Sequence, residues 1–206
     1  MLFAGKLIVN KIEDKIMDVF TAMKGRRSCR DFLPEPVGRD KIEKILEAAS
    51  WAPSPLNLQP WEFIVITNTN VKEKLFSEAK RCIKWIHDKT GWDWLKTYNA
   101  DFLKHAPVVI AVIGDPRKTG VDMFLEEGGA GYQHACAAAI QNINLATYAL
   151  GLASLWFTFF EKDPVREILD ISPDKTPIAL ICIGKPNGEI LQIPRKDSMK
   201  KTTFIT

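Results

Sequence analysis

Between Gly128 and Phe160 the chain carries no Lys, Arg, Asp or Glu. This stretch constrains the fold more than any other. A run that long could cross a bilayer, which takes roughly 20 apolar residues. Gln141, Asn142, Asn144 and Thr147 fall in its middle, however, and Gly151 breaks it. Amides are costly at bilayer depth, so the stretch reads as a helix over about 130–150 buried in protein, with no membrane span. Ala135, Ala138, Ile143, Leu145, Ala149 and Leu150 are spread around that helix. A helix that is apolar nearly all round must be covered all round. One chain of 206 residues with short helices and few strands lacks the material, so the pattern calls for a second copy, a homodimer.

The rest of the chain is organised around this element. Ile12, Ile16, Val19, Phe20 and Met23 recur at helical spacing and predict a helix over 11–24, with Gly25 as its stop. Ile42, Ile45, Leu46 and Ala49 predict a second over 39–50, which Pro53 and Pro55 end. Leu75, Ala79, Ile83 and Ile86 predict a third. "WEFIVIT" (61–67), "PVVIAVIG" (107–114) and "PIALICIG" (177–184) read as strands. Asp163 followed by Pro164 reads as a cap and first turn for a short helix over 163–170, and the tail from 190 as basic and largely extended. Without regular βα alternation, repeats or linkers, the fold class is α+β: a small mixed sheet surrounded by helices.

Composition excludes more than it selects. A net charge of +3 permits local anion binding but falls short of a nucleic-acid domain. Cys29, Cys82, Cys136 and Cys182 form no CxxC pair, so they read as inert thiols of a reducing compartment. Lys6 interrupts the only apolar stretch at the N-terminus, which argues against a signal peptide and for a cytoplasmic protein. His87, His105 and His134 lack metal-ligand spacing and read as packed or surface histidines, so no metal is expected. "GGAGYQH" (128–134) fails as a dinucleotide fingerprint, because the third glycine position is His134 and no strand immediately precedes it. Glu126 and Glu127 could act as paired acids or simply fill a helix's first turn.

Two segments carry the candidate chemistry. "KGRRSCRDF" (24–32) places Arg26, Arg27, Ser28 and Arg30 where a helix should end, and arginine forks suit a phosphate. "APSPLNLQPWEF" (52–63) places Ser54, Asn57 and Gln59 in a loop between helix and strand, where ligand groups concentrate. Amides offer donor and acceptor together, which suits a flat heterocycle with imide edges. A ligand with both ends is flavin mononucleotide (FMN).

The longer stretches that hold these segments, "MDVFTAMKGRRSCRDF" (17–32) and "VGRDKIEKILEAASWAPSPLNLQPWEFIVI" (37–66), with "HAPVVIAV" (105–112), "AIQNINLATYALGLASLW" (139–156), "DPVREILDI" (163–171), "ALICIGKP" (179–186) and "IPRK" (193–196) in that order, make the chain resemble the nitroreductase family of FMN-dependent oxidoreductases. The resemblance covers most of 17–206. Residues 1–16 stand outside it as an N-terminal extension, as does roughly 80–104. It implies an intertwined α+β homodimer with FMN at the interface. Arg26, Arg27, Ser28 and Arg30 would line the phosphate, ribityl chain and pyrimidine. Pro53, Ser54 and Asn57 would come from the partner subunit, supported by Gln59. Thr158 would offer its N–H to flavin N5, with Trp156 and Phe159 beside it, and Arg195 and Lys196 would complete the phosphate site. Phe159 stands where the family often has glycine.

The resemblance further implies a ping-pong reaction in which NADH or NADPH reduces FMN and a nitroaromatic or quinone takes the electrons. The flavin does the chemistry, so no catalytic side chain is expected. Arg30 is the candidate cation for reduced flavin, or else pairs with Asp31, Glu35 or another acid. Segment 84–105, with Trp92, Trp94 and Tyr98, is either a lid over the flavin or a satellite core. A rival reading is a basic module that binds RNA or an acidic partner through Arg26, Arg27, Arg30, Arg195, Lys196, Lys200 and Lys201.

Overall fold

The computed structural model describes residues 17–125 and 129–206. Ile12 and Ile16, the N-terminal extension 1–16, and the Glu126–Glu127 pair lie outside the described residues.

Strand β2 (Val108–Gly114) is buried along its whole length and organises the core. Its side chains alternate between the two faces of the sheet, and both faces are covered. Val109, Ala111 and Ile113 enter one core, with Leu75, Ala79, Phe102, Leu155, Phe157 and Leu180. Val108, Ile110 and Val112 enter the other, with Ile45, Ala49, Ala139, Ile140, Ile143 and Ile181. The first face is covered by α3 (Thr69–Thr90), α4 (Phe102–His105) and α6 (Lys162–Leu169), the second by α2 (Arg39–Ser50) and α5 (Gly131–Ala149). An isoleucine fully buried this way contributes about 1.5–3 kcal/mol.

The sheet has four strands in the order β1-β2-β4-β3, with β1 at Trp61–Ile66, β3 at Ala153–Phe157 and β4 at Thr176–Gly184. All three pairings are antiparallel, where a mixed sheet was expected. The reason lies in the connections. Chain leaving β1 at Ile66 travels out along α3 and returns through 91–105 to the same end, since Ile66 pairs with Val109. Strand β3 was absent from the sequence reading. "ASLWF" follows directly on the charge-free helix, and periodicity alone cannot separate a short buried strand from the end of an apolar helix.

Helix α3 starts where Asn68 accepts the N–H groups of Asn70 and Val71 and ends at Gly91, whose φ of 66° is a left-handed cap. Residues 84–90 therefore belong to this helix. Helix α1 spans Val19–Gly25, with Asp18 as its cap. Helix α6 begins two residues earlier than Asp163 as its cap would dictate. Its cap position is Glu161, and Asp163 sits in the first turn, bonded to Arg166.

The charge-free helix is also less bare than its composition suggests. Within one chain Ala135, Cys136, Ala139, Ile140, Ile143, Asn144 and Thr147 are buried, and what faces outward is Gln133, His134, Gln141 and Ala149. The large exposed apolar side chains sit elsewhere, on Phe20 and Met23 of α1, on Phe124, and on Phe204 and Ile205 of the tail.

Candidate functional site

The arginine segment is held by β3. Gly25 ends α1 against the Tyr148 phenol of α5, so close that a β-carbon on residue 25 would lie 2.1 Å from Tyr148 Oη. From Arg26 the chain turns extended. Ser28 forms a parallel bridge with Ser154 at the start of β3, and the Cys29 N–H donates to Ser154 O at 3.0 Å. Ser154 is itself fixed from inside: its buried hydroxyl donates to Asn144 Oδ1 of α5 at 2.7 Å. Further along, Leu33 N–H reaches Lys185 O and Asn187 N–H reaches Asp31 O. Residues 26–33 are thus stapled across the outer edge of the sheet.

The cations on this segment crowd together. Arg26 and Arg27 are half-buried. The Arg26 guanidinium is pushed below its usual pKa, first by burial and then by the nearby charges of Arg195 and Arg27. Among the described residues none of Arg26, Arg27, Arg30, Arg195 and Lys196 forms an ion pair. Arg27 Nη1 donates to Lys24 O and Arg26 O, at 2.6 and 2.7 Å, yet its buried Nε has no partner among the described residues. A buried donor left unmade costs about 1–3 kcal/mol. Glu35, one of the two carboxylates considered for Arg30, pairs with Lys185, and the other, Asp31, accepts from Asn187.

Three hollows follow the segment. One of about 250 Å³ is lined by Arg26, Arg27, Tyr148 and Ser154. The next, about 190 Å³, is lined by Ser28, Arg30 and Asn187 and shares Pro186 and Ile190 with the first. The third, about 470 Å³, shares Arg30 with the second and is walled by Trp94, Tyr98 and Phe102. Its aromatic wall continues inward: Tyr98 meets Phe159 at 5.3 Å, Phe159 meets Phe157 at 5.7 Å, and Phe157 meets Phe102 at 5.2 Å. Trp92 stacks on Trp94 at 6.2 Å, and both are about half exposed. Leu95, Ala100, Phe102 and Leu103 of the same segment are buried. Segment 91–105 is therefore packed at its base and open at its tip. Thr158, just beyond β3, is exposed, Trp156 is 39% exposed, and Phe159 is half-buried in the aromatic wall.

The second predicted segment lies elsewhere. In the loop 52–60, Leu56, Asn57 and Gln59 all have positive φ, at 50°, 56° and 46°. Each such non-glycine residue costs about 1–2 kcal/mol, and such strain persists only where the surroundings enforce it. Here Ser54 Oγ accepts the Gln59 N–H, Gln59 Nε2 donates to Asn57 Oδ1, and Pro55 fills the space above Gly120 and Gly131. Pro53, Asn57 and Gln59 face solvent and Ser54 is half-buried.

This loop enters β1 at Trp61, level with Gly114, whereas Ser154 is level with Ile183 and so with Val108. Six residues of strand separate those levels, about 20 Å, and three strand spacings separate β1 from β3, about 14 Å. The two segments sit at opposite corners, about 25 Å apart on the diagonal. One chain does not bring them together.

The profile of the Nitroreductase family matches residues 23–185. The chain belongs to the nitroreductase family. A Methanothermobacter thermautotrophicus relative, provisionally named NADH dehydrogenase/NAD(P)H nitroreductase, is 32% identical over 82% of this chain and 78% of its own length. The 5,6-dimethylbenzimidazole synthase of Rhodospirillum rubrum is 25% identical over 80% of each chain. In structure the chain is similar to oxidised iodotyrosine deiodinase bound to FMN and 3-iodo-L-tyrosine, with a TM-score of 0.76, 21% identity, and coverage of 87% of this chain and 96% of that one. The nitroreductase fold is thus shared with proteins named for different reactions.

The sequence gives no site role to Tyr148, Ser154 or Asn144, the last of which figures there only as an amide that argues against a membrane span. All three fall in the charge-free run, where a hydroxyl or amide reads as a core residue. Their importance comes from what they touch. Among the described residues no helix is long and apolar enough to cross a membrane.

Proposed function

We propose that the protein is an FMN-dependent oxidoreductase that transfers electrons from NADH or NADPH to a flat acceptor such as a nitroaromatic or quinone, as a homodimer. The observation that carries this reading is the crowding of Arg26, Arg27 and Arg195, none of which forms an ion pair among the described residues. Like charges held together are unfavourable until an anion joins them, the more so for Arg26 and Arg27, which are half-buried. A basic interaction surface would instead hold its cations in solvent, which Arg26 and Arg27 do not do.

In this reading Arg26, Arg27, Arg195 and Lys196 hold the phosphate, and Ser28 and Arg30 face the ribityl chain and pyrimidine. Thr158 lies under the flavin beside Trp156 and Phe159. The opposite-corner placement of Pro53, Ser54, Asn57 and Gln59 supports their coming from the second copy. Bound FMN supplies hydride chemistry, and the protein orients it and tunes it with fixed charge. Trp94 and Tyr98 give the acceptor an aromatic wall, with offset stacking of about 0.5–1.5 kcal/mol per pair. Iodotyrosine and dimethylbenzimidazole, in the names of two similar proteins, are flat aromatics and fit such a wall.

The test is direct. Purified protein should be yellow, with one FMN per chain, and sediment as a dimer. Arg26→Ala and Arg195→Ala should each weaken FMN binding by about 2–5 kcal/mol, the usual loss on truncating one partner of a desolvated charge pair. Colourless protein with no saturable FMN binding refutes the reading, and unchanged affinity in both variants refutes the phosphate assignment.

A further inference from the structure

Glu78, on α3, is 6% exposed, a carboxylate inside the protein that no role above uses. Three donors surround it. Arg81 Nε reaches Oε2 at 2.8 Å and Arg81 Nη2 reaches Oε1 at 2.9 Å. The backbone N–H of Glu161 also reaches Oε1, at 2.9 Å. Arg81 in turn bonds the Glu161 carboxylate. Burying a carboxylate is expensive, and among the described residues this one makes a single hydrogen bond beyond its own helix, to Glu161. Glu161 closes the turn between β3 and α6. The turn starts at Phe157, held in the sheet opposite Leu180. Inside it the Phe160 N–H returns to Thr158 O at 3.0 Å, and Phe159 packs on Tyr98 and Phe157.

We propose that Glu78 is a positioning residue for the flavin. By fixing the Glu161 amide it sets the path of residues 158–161, and so the direction of the Thr158 N–H and the seat of the Phe159 ring. This rests on the reading that the flavin lies against Thr158. A donor aimed at a reacting atom has to be held within about 0.5 Å and 10–20°. β3, the Phe159 ring and α6 seat this turn, and the Glu78 bond is what fixes the amide at residue 161. Arg81 bonds both oxygens of the buried carboxylate and so orients it, with Oε1 facing the Glu161 amide.

The probe is sulfite, whose lone pair adds reversibly to N5 of oxidised flavin and bleaches its visible absorbance. On the FMN-loaded protein, Glu78→Ala should shift the sulfite dissociation constant by about tenfold. Its kcat should fall by a similar factor with little change in KM. Outright loss of a preorganised donor costs about 100-fold or more, and here the donor is only displaced. Glu78→Gln keeps an acceptor for the Glu161 amide and should restore the wild-type sulfite constant. Glu78→Asp keeps the charge and the Arg81 pair but draws the acceptor back by one methylene, and should show a reduced shift. An alanine variant that melts lower but keeps wild-type sulfite affinity and kcat overturns the proposal, because Glu78 then only ties α3 to α6. If the alanine variant does not fold, a wild-type sulfite constant in Glu78→Asp overturns it equally. Wild-type protein that binds no FMN would instead overturn the flavin reading itself.

Discussion

The opposite-corner arrangement leads to a complementation experiment. One variant, Arg26→Ala, damages the corner beside Ser154. A second, Ser54→Ala with Asn57→Gly, damages the loop at the corner beside Trp61. Glycine is chosen at 57 because φ is 56° there, a conformation glycine adopts without strain. The first variant should lose about 2–5 kcal/mol of FMN affinity, about 30-fold or more in Kd. The second loses two neutral hydrogen-bonding groups at about 1 kcal/mol each, together again about 30-fold. At an FMN concentration near the wild-type Kd, each variant alone stays nearly empty. The halves are about 25 Å apart within a chain, so in the proposed dimer an intact site takes one half from each subunit. Unfolding and refolding the two variants together at equal amounts should give about half mixed dimers. Each mixed dimer has one site with both halves intact and one with both damaged, so about a quarter of all sites recover wild-type affinity. FMN fluorescence titration reads this as a new tight phase of that amplitude. If the mixture titrates as the plain sum of the two variants, the halves belong to one chain and the two-subunit site is wrong.

Three further outcomes are expected. Trp92→Ala and Trp94→Ala should alter acceptor kinetics while leaving FMN content and Tm nearly unchanged, because both rings are about half exposed, whereas Phe102→Ala, at 2% exposure, should cost about 3–5 kcal/mol; large losses of Tm with wild-type kinetics in the tryptophan variants would show that the tip only packs. Gly25→Ala should destabilise by about 1–3 kcal/mol through overpacking against Tyr148, and Tyr148→Ala in the same chain should relieve part of it; an unchanged Tm in Gly25→Ala would mean the α1–α5 contact is loose. The buried Asp115 carboxyl is held below the usual range chiefly by its hydrogen bonds from Arg117, so it stabilises the fold above about pH 4, its unfolded value, and that contribution disappears as pH falls through the folded value. The Tm gap between wild type and Asp115→Asn should therefore be widest near neutral pH and close in acid; a gap independent of pH would remove the charge argument.

The sequence by itself determined the parts of this protein that local chemistry dictates. Short β-rich or continuously apolar runs set β1, β2 and β4. Helical spacing and the prolines at 53 and 55 set α2, and the run without charge set α5. Arginine at 26, 27 and 30 and the amides at 57 and 59 marked the two candidate ligand segments, because residue type and loop placement already specify hydrogen-bonding capacity. Tertiary structure decided the rest. Strand β3 was not legible, since a short apolar strand has no period of its own and exists only through pairing with β4. The antiparallel sheet depended on where α3 and 91–105 return the chain, which no residue encodes alone. The exposure of α5 could not be read from its composition, because burial depends on which neighbours arrive. The separation of the two ligand segments is likewise a property of strand order: nothing between residues 30 and 53 states that β1 and β3 occupy opposite edges. Glu78 shows the same limit in one side chain, an ordinary helical glutamate in sequence, given its partner 83 positions away only when α3 packs beside α6.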